Sequence, residues 1–248
     1  MSKNKLLVDG DIVLWIIAAR GADIAKEFEI NLDEYVEEKL YEYVEFVEEM
    51  EDTCRLKALN VFSGANNFRK DLWDGYKQNR KDKELPYGFQ ELREAIHKSY
   101  AVNTVSAPKL EADDLLGLMS DKRNDIIASI DKDLLQVPGL HYDWRTASLF
   151  EVSVLDGIRF HFKQMLIGDS SDGYKGANKV GPKKVDKLYD EFTDVNDMWP
   201  IALEAFQNAG HDDDYALLQA QLSYILRDEA DYANGCIRLW TPDVYTQS

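Results

Sequence analysis

Four times along this chain an apolar stretch gives way to carboxylates, and that placement restricts the fold more than any other feature. Val8 leads into Asp9-Gly10-Asp11. Leu110 leads into Glu111-Ala112-Asp113-Asp114. Ser129-Ile130 leads into Asp131-Lys132-Asp133, and Ile167-Gly168 into Asp169-Ser170-Ser171-Asp172-Gly173. Short apolar runs closed by glycine or polar residues predict buried strands at 5–8, 56–62, 125–130, 140–144 and 149–155. Apolar residues repeating every 3.6 positions predict a helix at 32–51, first-turn carboxylates one at 111–118, and helices are also expected at 12–20, 66–76, 89–100, 160–166, 183–192, 199–209 and 215–230. Strands alternating with helices imply an α/β fold, with a central, mostly parallel sheet and helices on both faces.

In such a sheet the carboxyl ends of the strands line one crevice, where ligands sit. Carboxylates from distant segments meeting there repel one another unless cations lie between them. Oxygen donors suit Mg²⁺, with Mn²⁺ as a substitute, and there is no His/Cys set for zinc. A pair of such ions about 3.5–4 Å apart activates water and stabilises a leaving oxygen, so no protein nucleophile is required. Each stretch taken singly has a plainer reading. Glu111, Asp113 and Asp114 suit the first turn of a helix, Asp9-Gly10 suits a turn, and Asp131 and Asp133 suit a helix cap. His97, His141, His161 and His211 are scattered and are read as core or surface residues.

The net charge of −17 argues against nucleic acid as a partner if taken alone. Basic residues nevertheless cluster: Arg69, Lys70, Lys77, Arg80, Lys81 and Lys83 in one stretch, and Lys175, Lys179, Lys183, Lys184 and Lys187 in another. The field at a site follows such clusters rather than the total. With 45% hydrophobic residues the chain has enough apolar material for a packed core. No apolar run reaches the roughly 20 residues of a membrane span. Cys54 and Cys236 form no disulfide framework, so a cytoplasmic setting is expected.

Read together, Phe68-Arg69, Tyr76-Lys77-Gln78-Asn79-Arg80, Leu110-Glu111-Ala112-Asp113-Asp114, Ser129-Ile130-Asp131-Lys132-Asp133, Ile167-Gly168-Asp169 through Gly173, and Gly176-Ala177-Asn178-Lys179-Val180-Gly181-Pro182 resemble the 5′-nuclease superfamily. Its members include flap endonucleases, stand-alone bacteriophage 5′ exonucleases and the 5′-nuclease domain of bacterial DNA polymerase I. The resemblance keeps its order over residues 6–192. It implies a PIN-like fold with a helical arch and a helix–three-turn–helix element. It also implies structure-dependent hydrolysis of phosphodiester bonds near 5′ ends. By position, Asp9, Glu111, Asp113, Asp114, Asp131, Asp133, Asp169 and Asp172 match metal-binding acids, and none of that set is missing. Lys77 and Arg80 match catalytic cations beside the scissile phosphate. Arg69, Tyr76, Gly176, Gly181, Lys183 and Lys184 match nucleic-acid contacts, with K⁺ held at the helix–three-turn–helix element in many members.

The residues support several of these roles independently. Glycines 173, 176 and 181 suit a backbone that approaches phosphate, and Pro182 suits a first helical position. Lys77 and Arg80, three apart, share a face if that segment is helical. A tyrosine at 76 suits either base stacking or a protein core. The expected division is 1–165 as the nuclease core, with the arch at about 66–100, and 166–248 as the helix–three-turn–helix and C-terminal helical region. Pro86 and Gly88 point to a small arch, and the tail from Asp194 carries acids and aromatics with no evident clamp-binding peptide. The expected partner is DNA with 5′ ends, nicks or flaps, or an RNA–DNA hybrid. The expected state is a stand-alone monomer in the cytoplasm, of the bacterial host if phage-encoded. The alternatives are a PIN-type ribonuclease and a non-catalytic branched-DNA-binding protein.

Overall fold

A computed structural model describes residues 4–81, 83–178, 180–189 and 194–245. In chain order the first elements are β1 (Lys5–Asp9), α1 (Gly10–Ala19), α2 (Ala22–Glu27), α3 (Leu32–Cys54), β2 (Lys57–Ser63), α4 (Arg69–Leu72) and α5 (Phe89–Lys98). There follow β3 (Thr104–Ala107), α6 (Ala112–Met119), β4 (Ile126–Ala128), β5 (Gly139–Asp143), β6 (Ser148–Val152) and α7 (Val154–Ile167). The last are α8 (Pro182–Tyr189), α9 (Val195–Asn208), α10 (Asp213–Ser223), β7 (Tyr232–Ala233) and β8 (Cys236–Ile237). Two compact units result. One comprises Met1–Ala65, Glu84–Lys132 and Gly139–Glu151; the other comprises Asn66–Lys83, Asp133–Pro138 and Val152–Ser248. The chain therefore interleaves between the two units.

The first unit holds the six-stranded sheet, ordered β3-β2-β1-β4-β5-β6. β1 pairs in parallel with β2 and β4, β2 with β3, and β4 with β5. β1 is buried from Leu6 to Asp9, as a central strand of a covered parallel sheet should be. The order runs 3-2-1 and then 4-5, so the direction of winding reverses between β1 and β4. Crevices open outside the carboxyl ends of strands at such reversals. Leu14, Ile17, Tyr43, Val47, Phe62, Leu92 and Ile96 pack beside Leu6 and Val8 in one core. α3 is the long amphipathic helix expected from its period. It is capped by Asn31, whose side chain accepts from the backbone N–H groups of Asp33 and Glu34.

In the second unit α7, α9 and α10 pack on one another, and α8 packs on α7. The acid- and aromatic-rich tail builds part of its interior. Trp240 is buried, with Trp199, His161, Phe162 and Tyr245 arranged edge-on or tilted around it. Asp231 is fully buried and accepts from Tyr224 Oη at 2.8 Å, Arg227 N at 3.0 Å and Arg238 Nη2 at 2.8 Å. The buried charge is thus paired and hydrogen-bonded.

Three local expectations change. The helix expected at 66–76 shrinks to α4, because Trp73 turns extended after Leu72. The strand expected at 149–155 ends at Val152, where Ser153 caps α7 by accepting from Asp156 N. The helix expected at 215–230 stops at Ser223, and Tyr224 is extended. In the region expected as arch, the described residues between α4 and α5 contain only a 3₁₀ turn, Gln78–Arg80. The stretch lacks an apolar period, and Gly88 enters α5 with φ of +71°. Lys179 and the expected helix end at 190–192 lie outside the described residues.

Burial in this aromatic cluster pushes the His161 imidazole down to about 3, and Arg227 acts in the same direction. His161 is therefore neutral, its Nε2–H donating to Ala220 O at 2.9 Å and its Nδ1 accepting from Tyr245 Oη at 2.8 Å. The unfolded chain takes up a proton near 6.5 that the folded chain refuses until about 3. Stability is thus lost as pH falls below 6.5, by at most about 1.4 kcal/mol per pH unit from this group. Denaturant unfolding at pH 6.5 and pH 5 is expected to give a smaller difference in His161→Gln than in the wild type. Equal differences would contradict the assignment.

Candidate active site

Asp9 closes β1 at the reversal point and is 1% exposed. It lies one residue beyond the Val8–Ala128 pair of the β1–β4 ladder, so Ser129 stands next to it. Ser129 Oγ donates to Asp9 Oδ2 at 2.8 Å and accepts from Asp131 N at 3.0 Å, tying the two acidic stretches together. Asp9 Oδ1 also accepts from Ile12 N at 3.3 Å, capping α1. Burial pushes the Asp9 carboxyl up to about 7, and Asp11 and Asp131 add to the rise. The hydrogen bonds from Ser129 and Ile12 oppose it.

α6 begins at the same end of the sheet. Ala112 N donates to Ser63 Oγ at 3.0 Å, Gly64 N donates to Leu110 O, and Glu111 N donates to the buried Asp114 Oδ2 at 3.1 Å. A side chain at Gly64 would collide with Ala107 O, so glycine is required where β2 and β3 end side by side. Glu111 and Asp113 are half-buried in the first turn of α6. Asp114 thus has the capping task that is the plainer reading of the motif. Asp11, part of the first acidic stretch though not of the expected ligand set, accepts from Ser63 N at 2.8 Å and bridges α1 to the end of β2.

The second unit holds its own acidic group. Asp169 Oδ1 accepts from Ser171 N at 2.7 Å and Asp172 N at 3.4 Å, while Asp169 N donates to Tyr174 O. These bonds close a tight turn over 169–174. Asp133, Asp169 and Asp172 all face the buried Tyr174, whose phenol is raised mainly by burial and then by those three charges. Lys77 and Arg80 come to the same turn. Lys77 takes a left-handed backbone, φ +54°, ahead of the 3₁₀ turn, so a helix is not what aligns them. Their shared target is Asp172 Oδ1, at 3.7 Å from Lys77 Nζ and 2.7 Å from Arg80 Nη2.

The remaining expected contacts differ in character. Arg69 is 3% exposed, and its guanidinium donates to Leu222 O at 3.0 Å and Tyr224 O at 2.5 Å, satisfying carbonyls at the end of α10. Tyr76 is 2% exposed and donates to Asp172 Oδ2 at 2.9 Å, so it is a core tyrosine with its hydroxyl on the acidic turn. Gly176 is buried with φ +63°. Its N–H donates to Gln219 Oε1 at 2.7 Å, and a Cβ there would lie 2.4 Å from Leu166 O, so a close turn explains the glycine. Gly181, Lys183 and Lys184 are exposed around the start of α8. Ser129 carries no signal of its own in the sequence; only its position beside the Asp9 strand reveals it.

Both acidic groups offer hard oxygen donors alone, and Asp9 sits in a burial that disfavours its own charge. Divalent oxygen-seeking ions fit such a donor set and relieve that cost. Among the described residues no three His, Cys, Asp or Glu side chains are grouped so as to hold a metal ion between them. Mg²⁺ commonly binds through one or two carboxylates and keeps water on its other positions, which suits open groups of this kind.

A family profile described as 5′-3′ exonuclease, N-terminal resolvase-like domain, matches residues 26–159. The chain is 26% identical to the exodeoxyribonuclease of Enterobacteria phage T3, over 97% of this chain and 93% of that protein. It is 25% identical to the exonuclease of Escherichia phage T7, over 97% and 94%. In fold it is similar to the bacteriophage T5 flap endonuclease solved with DNA and metal ions, with TM-score 0.64 and 14% identity over 90% of each chain. The chain belongs to the 5′-3′ exonuclease family. It is accordingly a nuclease of the 5′-3′ exonuclease kind.

The Asp9 environment yields a test without DNA. An acid raised from its ordinary 3.8 to about 7 adds nothing adverse below 3.8, and stability is lost as pH rises through 7. In EDTA, Asp9→Asn is therefore expected to melt a few °C above wild type at pH 8, with the gain gone at pH 4. A variant that melts lower than wild type at pH 8 would contradict the uncompensated burial.

Proposed function

We propose that the chain hydrolyses phosphodiester bonds near DNA 5′ ends, nicks and flaps, and RNA primers on DNA, with Mg²⁺ bound by both acidic groups. The buried Asp9, held beside Asp131 at the winding reversal of the sheet, carries the reading. Asp9, Glu111, Asp113, Asp114 and Asp131 are the ligands in the first unit, and Asp133, Asp169 and Asp172 those in the second. Bound Mg²⁺ would supply a Lewis acid and a water of lowered pKa.

Lys77 and Arg80 neutralise charge on the phosphate that develops as the bond breaks. Lys183 and Lys184, exposed at the N-terminus of α8 beside Gly181, meet the duplex backbone, where phosphate contact fixes position without reading sequence. Lys77 and Arg80 also explain how a chain of charge −17 handles DNA: local cations, not the total, face the phosphate. K⁺ at the helix–three-turn–helix element and the monomeric state rest on the resemblance alone. Among the described residues no helix is long and apolar enough to cross a membrane.

End-labelled flap, nicked and blunt substrates with Mg²⁺ are expected to give short products from the 5′ end, and none in EDTA. Asp131→Asn is expected to cut at least about 100-fold more slowly while binding DNA within about twofold of wild type, since it removes a metal ligand and no DNA contact. Cleavage by Asp131→Asn at the wild-type rate removes that residue from the site. For the Lys183→Ala/Lys184→Ala double variant, duplex affinity should fall and the slope of log K against log salt should flatten by about 1–2. An unaltered slope places the duplex elsewhere.

A further inference from the structure

The segment Tyr76–Arg80 and the acidic turn over 169–172 are bound to each other by more than charge. Lys77 N donates to Asp172 O at 2.8 Å, Asn79 Nδ2 to Ser170 O at 2.7 Å, and Arg80 Nε to Ser171 O at 3.1 Å. Tyr76 Oη donates to Asp172 Oδ2 at 2.9 Å, while Arg80 Nη2 and Lys77 Nζ both address Asp172 Oδ1. Gly173 lies so close to Gly75 O that a Cβ would stand 3.0 Å from it. The bonds from Lys77 N and Asn79 Nδ2 hold the two segments in place whatever the carboxylate and the Arg80 guanidinium do. The Asp172 side chain is therefore a separate, exchangeable contact on a rigid base.

We propose that Asp172 is a positioning residue for Lys77 and Arg80, and that these two cations compete with a divalent ion for its carboxylate. The inference rests on the metal reading above and deepens it. Both oxygens of Asp172 are occupied by donors, with Oδ1 beside two positive charges. An ion approaching that oxygen must displace Arg80 or accept its repulsion. Arg80 is 47% exposed on its side chain, against 14% for Asp172, so the arginine has water to swing into and the carboxylate stays where it is. A DNA phosphate offers Arg80 and Lys77 an alternative anion. Once they turn to it, Asp172 is released to the ion. Metal and DNA then favour each other's binding, and the coupling is reciprocal by linkage. An enzyme so arranged keeps its ions weakly until a phosphate is in place.

The test is calorimetric titration of the full chain, stripped with EDTA and free of DNA, with MgCl₂. Arg80→Gln is expected to bind Mg²⁺ about three- to fivefold more tightly than wild type, the modest factor expected of a half-exposed pair. Lys77→Met is expected to shift in the same direction, which guards against a fault peculiar to one variant. In an Asp172→Asn background the Arg80→Gln effect is expected to vanish. A merely structural role for Arg80 predicts unchanged or weaker Mg²⁺ binding, and that result overturns the inference. So does an Arg80→Gln effect that persists without the Asp172 charge. Absence of saturable Mg²⁺ binding by the wild type overturns the metal reading and this inference with it. A wild type that binds Mg²⁺, with variants that match it, overturns the inference alone.

Discussion

A carboxylate out of water, with other carboxylates beside it, is a poor place to keep a negative charge. Asp9 is in that position, at the end of a strand whose other residues must be buried for the sheet to exist. Its burial, with Asp11 and Asp131 adding to it, lifts the acid to about 7, so near neutral pH the site is divided between protonated and charged forms. Ser129 and the Ile12 N–H recover part of the cost by hydrogen bonding, and no more than part. A hard cation placed there, at the point where the sheet reverses its winding, would offset that cost.

The second unit solves the same problem differently. Asp172 is not left without compensation: Tyr76, Lys77 and Arg80 surround it. Around it the turn over 169–174 is closed by Asp169 accepting from two backbone N–H groups, so the acids are held by main-chain geometry. One unit holds a carboxylate whose burial is offset only in part, and the other holds one met by a tyrosine hydroxyl and two cationic side chains. In the proposed reading the first unit provides a cation site and the second a pair of cations that a phosphate draws away. Net charge conceals both, because the acids that make the total negative include α3, whose exposed carboxylates are remote in character from this chemistry.

Much of this was legible in the sequence. Strand β1, helix α3 and strand β2 follow from their apolar periods, and the four acidic stretches stand out because each ends an apolar run. Less legible was anything that depends on a long-range partner. Arg69 is expected as a nucleic-acid contact and is instead a buried donor to carbonyls more than 150 residues away along the chain. Gly176 reads as an opening for phosphate and is closed by Gln219. Ser129 is an ordinary residue until β4 is laid beside β1. β3, with Thr104 and Ser106 in four residues, lacks the apolar run that betrays a buried strand, and the two-residue β7 and β8 are too short to show a period. The helix expected at 66–76 failed because its apolar residues, Phe68, Leu72, Trp73 and Tyr76, serve packing around a bend rather than one helix face.

The central claim is the proposal that Asp9 and its neighbours bind a divalent cation because folding has left charge there in need of one. Calorimetric titration of the EDTA-stripped protein with MgCl₂ at pH 7.5, set beside the Asp9→Asn/Asp131→Asn double variant, tests it most directly. Saturable binding of at least one Mg²⁺ by the wild type, weakened by at least about tenfold in the double variant, is the expected result. Wild type and double variant binding Mg²⁺ equally well, or neither binding it, would contradict the account.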